Sequence, residues 1–309
     1  MPSLLEPQLE FVDCANPSGR HAMAWWSWGD CKARHAVVCV HGLTRQGLDF
    51  DALARALVEH SDGSLRVIAP DVVGRGRSDW LPEPAHYQLP QYIGDVLTLL
   101  QHLHRQHSLH TLDWVGTSMG GLVGMALAGQ RDLPLPVPVR RLVLNDVGPA
   151  VAWPSIVRMQ GYVGRYGTFE DLDQAAAYLR SLSAGFGPVP WSEWLSLSRP
   201  MLRTDPQGRL TLHYDPAIGA SIAAVTPELA QTAEPSLWPL YDAITAQALL
   251  LRGAQSDVLD PQTAQVMTKR GPRARLVQWE GVGHAPTLTD SLQMDVVSGF
   301  LLAATPGDL

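Results

Sequence analysis

The chain has 309 residues, of which 46% are hydrophobic and 17% charged. A chain of that length can bury about three-quarters of its unfolded surface, which excludes a solvated, disordered polymer and allows for a sizeable core. With 23 basic residues against 30 acidic ones the net charge is −7, so overall charge offers no footprint for nucleic acid.

At the N-terminus, residues 1–13 have neither a basic start nor the apolar stretch of a secretory signal. No run anywhere approaches the roughly 18 apolar residues of a membrane span, so the expectation is a cytoplasmic protein. Cys14, Cys31 and Cys39 are odd in number and lack paired spacing, which argues against a disulfide scaffold. Residues 9–13 and 22–28, separated by Asn16-Pro17-Ser18-Gly19, predict a hairpin. Short apolar runs then recur at 36–40, 65–69, 111–115, 141–147, 248–251 and 274–278. Most are apolar throughout, as strands covered on both faces should be. Helical patterns lie between them at 50–60, 89–107, 119–130, 261–270 and 291–303, with Asp49 and Asp260 as candidate caps for the first and fourth. This alternation predicts an α/β fold, a mostly parallel sheet flanked by helices.

One stretch departs from the rhythm. Between residues 148 and 246 there is no buried parallel strand, only helical segments (155–166, 170–184, 191–199, 216–224) and one hairpin around Asp205-Pro206-Gln207-Gly208. We read a core made of 1–147 and 247–309, with 148–246 inserted as a mainly helical cap.

Gly116-Thr117-Ser118-Met119-Gly120 follows an apolar strand and opens a helix rich in small residues, the context that a nucleophile elbow requires. A serine hydroxyl is a weak nucleophile and needs a base oriented by a third group. In Gly283-His284 the histidine follows the last strand, at the carboxyl edge of the sheet where sites of open α/β sheets gather. The acid is expected to be Asp257, in the loop after the penultimate strand, with Asp146 at the end of the preceding strand as the alternative. The oxyanion donors are expected from the backbone N–H of Met119 and of Leu43, in the loop His41-Gly42-Leu43-Thr44-Arg45. His41 reads as a turn-holding residue. Arg45 reads as a structural ion pair, or as a possible contact for a substrate carboxylate. The four histidines at 102, 104, 107 and 110 suit a helix C-terminus better than a metal. Residues 71–78 fail the dinucleotide fingerprint, because Asp79 stands at the third glycine position.

Taken together, His41-Gly42, the loop 71–78, the elbow at 116–120, Asp257 and Gly283-His284 resemble the α/β-hydrolase superfamily, in its capped esterase-like branch. The resemblance implies an eight-stranded sheet with a cap after strand 6, no cofactor, and hydrolysis through an acyl-enzyme. The expected substrate is a small-molecule ester with a small to medium apolar acyl group. Acyl transfer or carbon–carbon bond hydrolysis with the same triad, or a receptor without turnover, are the alternatives.

Overall fold

The computed structural model describes residues 4–304. β1 (Gln8–Asn16) and β2 (Gly19–Gly29) form the N-terminal hairpin, antiparallel from Gln8↔Ser27 to Asn16↔Gly19. There follow β3 (His35–Val40), α1 (Asp51–His60), β4 (Leu65–Pro70), α2 (Leu89–His107), β5 (Thr111–Thr117), α3 (Met119–Gly129) and β6 (Val139–Asn145). The eight strands of the main sheet run β1-β2-β4-β3-β5-β6 and then two strands from near the C-terminus. The latter are β10 (Gln247–Gly253) and β11 (Arg275–Trp279), which follow three short strands of an inserted segment. Within this sheet, among the described residues, only β1–β2 and β2–β4 pair antiparallel.

Between β6 and the return to the main sheet lie α4 (Trp153–Tyr162), β7 (Thr168–Phe169), α5 (Leu172–Leu182) and α6 (Trp191–Ser198). β8 (Leu202–Thr204), β9 (Leu210–Leu212), α7 (Ile218–Ala223) and α8 (Pro227–Asp242) complete this segment. β7, β9 and β8 make a small antiparallel sheet, whose β8–β9 hairpin turns at the Asp205–Gly208 segment. The chain then re-enters the main sheet as β10 (Gln247–Gly253), followed by α9 (Pro261–Met267), β11 (Arg275–Trp279) and α10 (Ser291–Leu302).

The interior strands are buried almost end to end because helices cover both faces. Leu53 and Leu57 of α1 pack with Val297 and Leu301 of α10 on one side. Leu99, Leu100, Val123 and Leu127 of α2 and α3 join the core on the other. Each such leucine taken from water contributes about 1.5–3 kcal/mol.

Two local expectations are corrected. Asp49 does not cap α1. It sits inside a 3₁₀ turn, 47–50, which the Gln46 side chain caps by accepting from Leu48 N–H at 2.9 Å. Helix α8 falls where no helix is expected, because Pro235 and Pro239 lie inside it and proline reads as a breaker. Asp260 does cap α9, accepting from Gln262 and Thr263 N–H at 2.9 Å each.

Candidate active site

Strand β5 delivers Ser118 to the carboxyl edge of the sheet, and α3 begins at the next residue. The turn between them is tight enough to put Ser118 at φ 52°, ψ −116°, a region that side chains seldom adopt. Backbones of this kind persist only where their surroundings over-determine them, at a cost of about 1–3 kcal/mol. The close approach depends on Gly120, where an added Cβ would lie 1.9 Å from the Val40 carbonyl oxygen.

The Ser118 hydroxyl donates to His284 Nε2 at 3.0 Å, and His284 Nδ1–H donates to Asp146 at 2.7 Å. Asp146 is fully buried. Its carboxylate also accepts from Gly253 N–H at 3.1 Å and from the Ser256 hydroxyl at 2.6 Å. A buried carboxylate held by three donors gives the imidazole one tautomer and one orientation.

The expectation for the acid is therefore corrected in favour of its alternative. β6 and β10 are neighbours in the sheet, so the loops after both reach the same histidine. The Asp257 carboxylate turns instead to Arg158 of α4, at 2.6 and 3.0 Å. Burial pushes Asp257 up, but the Arg158 bonds and charge, with a smaller contribution from His284, outweigh it and leave the group below its ordinary value.

Leu43, Ser118 and Met119, the serine and the two residues expected to supply oxyanion amides, all line one cavity of about 910 Å³. Its walls are apolar side chains of the core and the inserted segment, among them Leu122, Val147, Ile156, Met159, Ile218 and Leu237. Glu83 is the one charged side chain among the described residues that line it.

The loops around the site are fixed by buried polar groups. His41 donates from Nδ1 to the Gly42 carbonyl at 2.7 Å and accepts Val72 N–H on Nε2 at 2.9 Å, which fits a turn-holding role. Burial, against the Gly42 bond and with the charges of Arg75 and Arg45, lowers it to about 3, so it stays neutral. Arg45 pairs with Asp49 at 2.5 and 2.7 Å, the structural reading of the two. Two contributors have no motif of their own. Arg75, fully buried, donates to the Leu43 carbonyl at 2.8 Å and so holds the loop that presents the Leu43 amide. Ser256 steadies Asp146; its only signal is a hydroxyl beside the expected acid.

This sheet, elbow and histidine loop define an α/β-hydrolase. Residues 31–288 match the family described as serine aminopeptidase, S33. The chain belongs to that family of hydrolases. It is 42% identical over 302 residues to a 3-hydroxybutyrate-oligomer hydrolase of Cupriavidus necator, covering 96% of this chain and 99% of that one. Among solved structures it is similar to an α/β hydrolase from Novosphingobium aromaticivorans, with TM-score 0.79, 32% identity, and 96% and 98% of the two chains covered. A putative hydrolase from Rickettsia typhi gives TM-score 0.80 at 25% identity, with 97% and 100% covered.

Proposed function

We propose that this hydrolase is a serine esterase acting on short oligoesters of small hydroxy acids, of the 3-hydroxybutyrate kind. The observation that carries the reading is the unbroken Ser118–His284–Asp146 chain, at 3.0 and 2.7 Å, with its serine in the wall of a 910 Å³ apolar cavity. The relative from Cupriavidus necator supports the choice of ester.

In this reading the Ser118 oxygen attacks the ester carbonyl while His284 Nε2 takes its proton. Asp146 stabilises the imidazolium, and the Leu43 and Met119 amides receive the oxyanion. His284 then returns the proton to the leaving alcohol, and the acyl group stays on Ser118. Water, deprotonated by the same imidazole, releases the acid and regenerates the serine. Segment 148–246 acts as a cap that keeps the cavity apolar and limits bulk water.

The test is a panel of 3-hydroxybutyrate oligomers and p-nitrophenyl esters, with products resolved by chromatography. We expect hydrolysis to free acids by the wild type, and a loss of roughly 10³–10⁶ in kcat for Ser118→Ala. Ser118→Ala at the wild-type rate would overturn the mechanism. Cleavage of p-nitrophenyl esters but of no oligomer would overturn the substrate class.

A further inference from the structure

The catalytic histidine is held from two directions, and one of them is the inserted segment. From the core, Gln255 N–H donates to the Val282 carbonyl and the Asn145 side-chain amide donates to that of Pro286, each at 2.9 Å. From the insertion, a single 3₁₀ turn at 184–186, between α5 and α6, lies directly on Gly283-His284. The Gly185 carbonyl accepts Gly283 N–H at 2.5 Å. The two backbones are so close that a Cβ at Gly185 would meet His284 N at 2.9 Å and its carbonyl oxygen at 3.3 Å. In reverse, a Cβ at Gly283 would meet Gly185 Cα at 3.0 Å. Only glycine permits such an approach.

The turn is itself pinned. Phe186 stacks on the buried Trp194 of α6, with ring centroids 5.5 Å apart and planes within 7°. The Arg45 guanidinium lies 5.8 Å from the Phe186 centroid and donates to the Leu197 carbonyl at 3.4 Å. Its ion pair with Asp49 ties this assembly to the core. Phe186 and Leu197 border a small cavity of about 40 Å³ behind the site, separate from the large one.

We propose that Gly185 is a positioning residue: the strap at 184–187 sets the height of the His284 backbone, so the inserted segment registers the imidazole against Ser118. The strap lies off the walls of the large cavity, so disturbing it alters turnover and leaves substrate binding intact. This rests on the esterase reading above, and its test separates the two.

Two variants disturb the strap in opposite senses. Gly185→Val pushes on His284 from above; Phe186→Ala removes the stack and loosens the strap. With p-nitrophenyl butyrate we expect kcat to fall roughly 10- to 100-fold in Gly185→Val, as displacements of about 1 Å cost. We expect a several-fold fall in Phe186→Ala, with KM within about threefold for both. The rate at which a fluorophosphonate labels Ser118 should drop in step with kcat, and the melting temperature should stay close to the wild type's. Gly161→Ala, also in the insertion but with open space around its Cβ, should behave as wild type. Unchanged kcat in both folded variants would overturn the proposal. So would KM rising and thermal stability falling in proportion to kcat, the signature of a collapsed cap. A wild-type protein that cleaves no ester would instead refute the esterase reading itself.

Discussion

Asp146 and Asp257 stand at the ends of adjacent parallel strands, and the difference between them lies in their neighbours. Asp146 is fully buried and meets three donors, whereas Asp257 is half exposed and engaged by Arg158. We therefore expect Asp146→Asn to lower kcat on p-nitrophenyl butyrate by roughly 10³–10⁴, since the amide favours the wrong tautomer. Asp257→Asn should stay within a few-fold of wild type, because its loss costs one partly exposed ion pair. A harmless Asp146→Asn would return the acid to the later loop. The pairing of Ser118 with His284, which stand 3.0 Å apart, was legible in the sequence because each sits in a motif that its local turn requires. The acid was not, because the choice depends on Arg158, which is 99 residues away from Asp257. Spacing along two neighbouring strands does not report which side chain a distant helix will capture.

At the scale of elements, the parallel strands and their helices were readable because burial on both faces makes strands uniformly apolar and helices amphipathic. Ends and proline-bearing pieces were not. Asp49 looked like a cap but lies within a 3₁₀ turn, and the prolines of α8 hid a helix that tertiary packing supports. Asp260 is the cap that can be tested in isolation. Asp260→Ala should cost about 1 kcal/mol in urea unfolding while leaving kcat unchanged. A loss of activity without a loss of stability would mean that α9 does more than support the sheet.

Across the whole molecule, one of the bonds that join the inserted segment to the core is accepted by a buried neutral histidine. His213 accepts Gly76 N–H on Nδ1, across the joint. Burial first, then the adjacent His41 imidazole and the cations of Arg45, Arg75 and Arg203, hold it well below its ordinary 6.5. The unfolded chain takes up protons below pH 6.5 that folded His41 and His213 refuse, so stability falls as pH drops through that value. Asp71, raised to about 6 by burial, and Asp95, also raised by burial, act with the opposite sign lower down. We expect a loss of about 1 kcal/mol between pH 7.5 and 6, and a smaller pH dependence of the melting temperature in His213→Gln. Equal dependence in both proteins would contradict this. The apolar cavity carries a second expectation. Having no cation among its described lining residues, it should disfavour acyl chains that end in a carboxylate. The p-nitrophenyl ester of monomethyl glutarate should be cleaved at least about tenfold faster, by kcat/KM, than that of glutarate itself; parity would contradict the expectation. The proposed esterase mechanism calls for a covalent intermediate, and mass spectrometry of enzyme quenched during ester turnover is its direct test. The account predicts an acyl adduct on the peptide that contains Ser118, forming far more slowly when His284 is replaced, because the same imidazole activates the serine. An adduct on another residue, or steady hydrolysis with Ser118 never modified, would contradict it.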